Sequence, residues 1–260
     1  MNLPKKSLGQ NFLIDKNIIN KILNLSKIYN NHVIEIGPGR GALTEEILKR
    51  KPKSLIVIEK DLLLAEKLKE KYSENKNFKI YNKDILKFNL EKILKKKTII
   101  FGNLPYNISS QILVKIIKFE KWPPNFIDVI FMFQKELGEK IIGPFKSNNY
   151  GRLSILTNHR LSIINKFLVS PNCFKPKPKV TSLIIHFKPK KADFIIKDIS
   201  KLEKITNIFF SNKRKMINKN IKKILNNDQI NQIDQLNLNA RPAEMEEEIY
   251  YKITQLYEKN

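Results

Sequence analysis

Over the first half of the chain, short β-branched and aliphatic runs alternate with stretches whose apolar residues recur every three or four positions. The runs HVIEIG (32–37), SLIVIE (54–59), FKIYNKD (78–84), TIIFGN (98–103) and DVIFMF (128–133) read as strands. DKNIINKILNLSKI (15–28), ALTEEILKR (42–50), DLLLAEKLKEKY (61–72) and SSQILVKIIKF (109–119) read as helices, the last opening on a serine cap signal, and QKELGEKII continues the fifth strand as helix. This alternation predicts βαβ units and a mainly parallel sheet. Two later runs, NKFLVS (165–170) and SLIIHF (182–187), are joined by the proline-rich PNCFKPKPKV (171–180) rather than by a long helix. They are expected to pair as an antiparallel hairpin at one sheet edge. Beyond Pro189 the pattern becomes helical throughout, in 198–227 and again in 243–259. The fold class is therefore α/β, with a domain over 1–189 and a small all-helical domain over 190–260.

Composition narrows the partners. Lys and Arg outnumber Asp and Glu by 49 to 25, a formal net charge of +24. Codon bias that raises Lys, Asn and Ile together accounts for part of this, but not for the failure of the acids to rise as well. Such a surface attracts phosphate backbones, so nucleic acid is the expected partner. No apolar run approaches the length of a membrane span, and the N-terminal stretch lacks an apolar signal core, so a soluble, cytoplasmic protein is expected. A single cysteine, Cys173, excludes a disulfide framework. His32, His159 and His186 are scattered, so no metal site is expected, and each is read as a strand or helix surface residue.

Candidate chemistry collects at the strand ends. EIGPGRGALT (35–44) leads from a strand through Gly37, Gly39 and Gly41 into a helix. Such a turn lets backbone approach a ligand, although its spacing is not that of a dinucleotide binder. The next strand ends in Glu59, placed to accept from two ribose hydroxyls, and the third in Asp84, placed to accept from an exocyclic amine. Glycine turn, acid and acid at successive tips suit an adenosine without a pyrophosphate. The fourth strand leaves through GNLPYNISS (102–110). A nucleobase amine is a poor nucleophile because its lone pair is delocalised into the ring. Alkylating it requires acceptors for its N–H groups, which the Asn103 side-chain oxygen and the Leu104 carbonyl ahead of the stiff Pro105 can provide. Tyr106 offers a stacking face for an extruded base.

NLPY resembles the Asn/Asp-Pro-Pro-Tyr-type motif of S-adenosylmethionine-dependent amino-methyltransferases. Together with KSLGQNFLID (6–15), EIGPGRGALT, IEKD, NKDIL and FKPKPKVTSLIIHF (174–187), it is similar over nearly the whole chain to the ribosomal RNA adenine dimethyltransferases of the KsgA type. The resemblance implies a Rossmann-like domain that binds S-adenosylmethionine and a helical C-terminal domain that recognises rRNA. It implies the transfer of two methyl groups to each of two adjacent adenines in a small-subunit rRNA hairpin, with the immature small subunit as partner, no membrane association and a monomeric state. By the same resemblance Asn11 and Leu13 close over the methionine end of the cofactor and Gly37 lies under its carboxypropyl part. Glu59 takes the ribose, Asp84 the adenine, and Asn103 touches both cofactor and target amine. Phe174 sandwiches the target base against Tyr106, and the basic stretch holding Lys213, Arg214 and Lys215 matches an rRNA-binding helix. Leu8 stands where the family often has Phe, a mild change.

Three rivals remain at this point. A large-subunit adenine methyltransferase of the antibiotic-resistance kind would share the fold and an NLPY-like motif, but the GPGRGALT turn and the helical C-terminal piece favour the small-subunit type. A non-catalytic RNA-binding assembly factor would not need both strand-tip acids and an intact NLPY. An NAD-dependent oxidoreductase would need the longer glycine pattern and has no use for Asn103 or Tyr106.

Overall fold

The computed structural model describes residues 11–191 and 193–259; the KSLGQ portion of the first motif (6–10) lies outside them. The strands are β1 (Phe12–Leu13), β2 (His32–Ile36), β3 (Ser54–Glu59), β4 (Phe78–Asn82), β5 (Thr98–Asn103), β6 (Phe126–Gln134), β7 (Leu161–Val169), β8 (Phe174–Lys175) and β9 (Ser182–Pro189). The helices are α1 (Lys16–Leu23), α2 (Ala42–Lys49), α3 (Leu62–Lys71), α4 (Ser109–Ile117), α5 (Lys135–Ile141), α6 (Arg152–Arg160), α7 (Ile199–Phe210), α8 (Asn218–Ile221), α9 (Asn227–Asn231) and α10 (Glu247–Tyr257).

Seven strands form one sheet in the order β4-β3-β2-β5-β6-β9-β7. β2 pairs in parallel with β3 and β5, β3 with β4, and β5 with β6, while β9 runs antiparallel to β6. β7 and β9 are neighbours as expected, but only β7 forms the edge, because β9 is claimed on its other side by β6. Alternate residues of the central strands, including Val33, Val57, Phe101 and Met132, join Ile19, Ile22 and Leu23 of α1 and Leu43 and Ile47 of α2 in one apolar cluster. Ile34, Ile36, Ile58 and Ile100, from the opposite face, are also buried. Burial on both faces is why these strands read as continuous apolar runs rather than alternating ones. Helix starts follow capping chemistry: the Asp15 carboxylate accepts from the N–H groups of Asn17 and Ile18, and that of Asp61 from Leu63 and Leu64.

The chain divides into two compact units. One comprises the chain up to Gly138 together with Ser162–Pro189; the other comprises Glu139–Leu161 and everything from Lys190. A single cut near 190 therefore misses that Glu139–Leu161 groups with the C-terminal helices. The reason is packing: α6 lies against α7, the Tyr150 hydroxyl donates to the Met245 carbonyl, and the Tyr251 hydroxyl donates to the Ile155 carbonyl. The expected long helix over 198–227 is also broken. α7 ends at Phe210 with Ser211 as its cap, and the chain turns so that Ile217 and Ile221 are buried at 0 % exposure. Lys213, Arg214 and Lys215 consequently lie in an exposed turn rather than on a helix.

Two of the histidines are not surface residues. His186 and Asp128 are both buried, and His186 Nε2 donates to Asp128 Oδ1 at 2.6 Å while Ser26 Oγ donates to Oδ2 at 2.5 Å. Burial raises the Asp128 pKa, but these two hydrogen bonds, together with electrostatic attraction to His186 and Lys188, outweigh it and hold the carboxyl below its ordinary range. His159 on α6 is also buried, its ring edge-on to Tyr251 and its Nε2 3.1 Å from the Phe194 carbonyl, with Nδ1 buried and unpartnered. Burial lowers its pKa from 6.5 to about 4; the Phe194 carbonyl and Asp193 oppose this, and Arg160 and Lys190 add to it.

His159 thus stays neutral in the folded protein and gains a proton more readily on unfolding. Its contribution to stability is complete above about pH 6.5 and is lost as pH falls toward about 4. A shift of this size corresponds to at most about 3 kcal/mol. Thermal melts from pH 4 to 7 should show a steeper loss for the native chain than for His159→Gln, which keeps a donor for Phe194 but does not titrate. Parallel pH curves for the two proteins would show that the imidazole does not carry the effect.

Candidate active site

The carboxyl ends of β2, β3, β4 and β5 open on one cleft. It is lined by Asn11, Leu13, Gly37, Glu59, Asp84, Asn103, Leu104 and Tyr106 among others. β2 is the strand at which the sheet order reverses, with β3 and β4 to one side and β5 to the other, so the cleft lies where open α/β sheets take their ligands. Register sets the spacing: Ile36 is paired with both Ile58 and Gly102, which places Gly37 beside Glu59 and Asn103.

The glycine turn is shaped by its neighbours. Gly37, Gly39 and Gly41 all have positive φ. A Cβ on Gly39 would come within 2.9 Å of the Phe12 ring, so the short β1 strand can lie down on the turn only where a side chain is missing. A Cβ on Gly37 would face the Asn103 carbonyl and Pro105 at 3.7 and 3.9 Å and would narrow the cleft floor. The Arg40 guanidinium lies over the outer side of Phe12, 4.6 Å from the ring centre.

Glu59 is 7 % exposed, and both of its oxygens are oriented by backbone: Oε2 accepts from Gly39 N at 3.0 Å and Oε1 from Asp61 N at 2.8 Å. Burial raises its pKa while these N–H groups oppose the rise. Each oxygen keeps acceptor capacity toward the cleft, the requirement for holding a pair of vicinal hydroxyls. Asp84 caps its own turn through Leu86 N at 3.0 Å and pairs with Lys60 Nζ at 2.8 Å. The Lys60 hydrogen bond holds its pKa below the ordinary value, so it faces the cleft as an anion. That acid is a turn cap and also lines the cleft.

The amide of Asn103 is oriented by a hydrogen bond to the main chain. Its Nδ2 donates to the Asn11 backbone carbonyl at 3.1 Å. A carbonyl can only accept, so the side-chain oxygen is the atom left to accept from a ligand. Leu104 is buried at 2 % exposure, and the Pro105 carbonyl accepts from Ile108 N to close the turn. Tyr106 is partly buried, and its hydroxyl lies 2.6 Å from Ser182 Oγ. Phe174 departs from expectation. It is 3 % exposed, sits in the apolar cluster with Leu13, Val169 and Cys173, and does not line the cleft. The pairing of Leu13 with Phe174 in the β1–β8 ribbon draws its side chain into the core, so it presents no face to a base here.

Several residues escaped the sequence reading. Asn82 Nδ2 donates to the Glu59 carbonyl at 3.0 Å and the Lys60 carbonyl at 3.2 Å, tying two strand tips together. Ser182 had no signal of its own beyond its place after KPKVT. Glu35 did have one, an acid inside the apolar run HVIEI. It lines the cleft at 1 % exposure and accepts from Thr44 Oγ1 at 2.6 Å. Burial raises its pKa to about 8, with Thr44 opposing and Glu59 adding to the rise. Among the described residues no cluster of His, Cys, Asp and Glu could hold a metal, and no helix is long and apolar enough to cross a membrane.

Reversed-strand sheet, glycine turn, two tip acids and an oriented amide define a Rossmann-like, S-adenosylmethionine-dependent methyltransferase. The family model described as "Ribosomal RNA adenine dimethylase" matches residues 1–259. "Ribosomal RNA small subunit methyltransferase A" of Pelagibacter ubique (strain HTCC1062) is 45% identical over 261 residues, covering 98% of this chain and 97% of its own. The protein with the same description in Malacoplasma penetrans (strain HF-2) is 39% identical, with 95% and 90% covered. Among solved structures, a dimethyladenosine transferase from Plasmodium falciparum superposes with a TM-score of 0.77 at 26% identity, covering 95% of this chain and 98% of that one. The 23S rRNA methyltransferase ErmE shares the fold at a TM-score of 0.67 and 22% identity, covering 95% and 100%. The chain belongs to the ribosomal RNA adenine dimethylase family.

Glu35 carries a pH dependence of the opposite sign to that of His159. Its folded pKa lies above its ordinary 4.5, so its contribution is complete below about pH 4.5 and is lost as pH rises through about 8. Without ligand, the native melting temperature should fall between pH 5 and 9 more than that of Glu35→Gln. Equal slopes in calorimetric scans would mean that Glu35 ionises at its ordinary pH.

Proposed function

We propose that this protein methylates the exocyclic amines of two adjacent adenosines in a hairpin near the 3′ end of small-subunit (16S) rRNA during ribosome biogenesis, forming dimethyladenosine at each. The observation that carries the chemistry is the tether of Asn103 to the Asn11 carbonyl, which leaves an oriented amide oxygen at the cleft. When bound, S-adenosylmethionine supplies an electrophilic methyl group on a sulfonium. Glu59 holds its ribose and Asp84 its adenine amine, Gly37 lies under the carboxypropyl part, and Asn11 and Leu13 cover the methionine end.

The Asn103 oxygen and the Leu104 carbonyl accept the two N–H groups of the target amine, which frees the nitrogen lone pair from the ring. Tyr106 stacks on the extruded base. No strong base is required, because the amine proton becomes acidic once the nitrogen is alkylated. Catalysis then rests on orientation and preorganised acceptors.

The choice of RNA falls to the basic surface and the helical unit, which read shape and backbone rather than base edges. The exposed turn at Lys213, Arg214 and Lys215 contributes phosphate contacts. The small-subunit assignment is supported by the relatives of matching length, which carry that description. The protein acts as a monomer in the cytoplasm.

Purified protein with labelled S-adenosylmethionine should label small ribosomal subunits that lack the modification and leave large subunits unlabelled. Label in the large subunit alone would assign the protein to the antibiotic-resistance type. Asn103→Ala at saturating cofactor should slow single-turnover methylation roughly a hundredfold or more, as loss of a preorganised polar group does. A rate near that of the native protein would mean that the amine is activated elsewhere.

A further inference from the structure

We propose that Ser182 is a positioning residue for methyl transfer, holding the ring of Tyr106 in the plane that receives the target base. The inference rests on the stacking role given to Tyr106 above. Tyr106 sits in the turn after Pro105, and its backbone carbonyl accepts from Ser109 Oγ at 3.1 Å. Those contacts fix the main chain but leave the side-chain torsions to the ring's surroundings. The ring reaches across to the sheet, and its hydroxyl meets Ser182 Oγ at 2.6 Å.

Ser182 is a stiff anchor. It is 0 % exposed, begins β9, and stands in register with Gln134 at the end of β6. The preceding Thr181 carbonyl accepts from Lys135 N at 2.9 Å. Its place is therefore set by backbone pairing, and its hydroxyl is available to define where another group points. The contact also joins two sequence motifs 76 positions apart, NLPY and KPKVTS. Ser182 ends the segment that starts at β8, and β8 pairs with β1 at the cleft wall. The stretch that follows the β1–β8 ribbon is thus tied at its far end to the stacking ring.

A bland alternative is that the two hydroxyls merely satisfy each other, since buried polar groups need partners. The two cases differ in rate rather than in stability. A loosely held ring presents the base at a poorer angle, and small misplacements slow transfer strongly.

The test is single-turnover methylation of unmodified small subunits, at saturating cofactor and RNA and well below the melting temperature. Native protein is compared with Ser182→Ala, Tyr106→Phe, the double variant and Tyr106→Ala, with cofactor affinity measured by calorimetry. Ser182→Ala and Tyr106→Phe should each lower the rate about tenfold. The double variant should be no slower than either single, and cofactor affinity should be unchanged. If Ser182→Ala does not fold, Tyr106→Phe removes the same bond from the other side and carries the test. Single variants at the native rate, or two losses that multiply, overturn the proposal. If Tyr106→Ala is itself as fast as native protein, the stacking role fails, and the role of Ser182 fails with it.

Discussion

The constraint on which the rest depends is the double pairing of β2. Ile36 is matched to Ile58 on one side and to Gly102 on the other, both in parallel. Parallel pairing brings the carboxyl ends of neighbouring strands to the same edge, so the residues that follow β2, β3 and β5 must meet. The glycine turn, Glu59 and Asn103 lie far apart along the chain and become one wall for this reason alone. A slip of one residue in either pairing would turn these side chains to opposite faces.

Three acids around that wall are tuned differently by their surroundings. Glu35 has a threonine hydroxyl as its hydrogen-bond partner, and burial dominates, which favours the neutral carboxyl. Glu59 is nearly as buried and its pKa is raised as well, but the backbone N–H groups of Asp61, Gly39 and Lys60 oppose the rise. Asp84 is drawn the other way by Lys60 and stays anionic. The floor beneath the glycine turn is therefore less negative than the count of acids suggests. Glu59 and Asp84 remain at the rim as oriented carboxyl groups. Adjacent ionised carboxylates would repel, and keeping Glu35 protonated avoids that repulsion beside Glu59.

The second unit is held by polar groups that find backbone partners inside an apolar core. Tyr150, Tyr250 and Tyr251 donate to the carbonyls of Met245, Pro242 and Ile155. Two of these bonds, from Tyr150 to Met245 and from Tyr251 to Ile155, tie Glu139–Leu161 to the C-terminal segment, so a stretch remote in sequence joins the helical unit. α6 was invisible in the sequence because Ser154, Ile155, Leu156, Thr157, His159 and Arg160 are all buried. Six of its nine residues are polar, and four of those are buried beside Ile155 and Leu156, so its few apolar residues mark no helical period.

The strands of the sheet, its parallel character and the residues at its tips were legible in the order of residues alone. Each is a local matter of apolar runs, punctuating glycines and the residue that ends a run. The NLPY stretch was legible as a candidate site too, because alkylating an amine demands acceptors and a flat partner. Tertiary structure alone decided which way the Asn103 amide faces, since its partner is a backbone carbonyl 92 positions away. It also decided that Phe174 is a core residue, that Ser182 meets Tyr106, that Asn82 ties two tips together, and that His159 and His186 are buried. Backbone carbonyls look alike at every position of a sequence, and burial depends on what packs from elsewhere in the chain. Contacts of that kind leave no local pattern and exist only once the chain has folded.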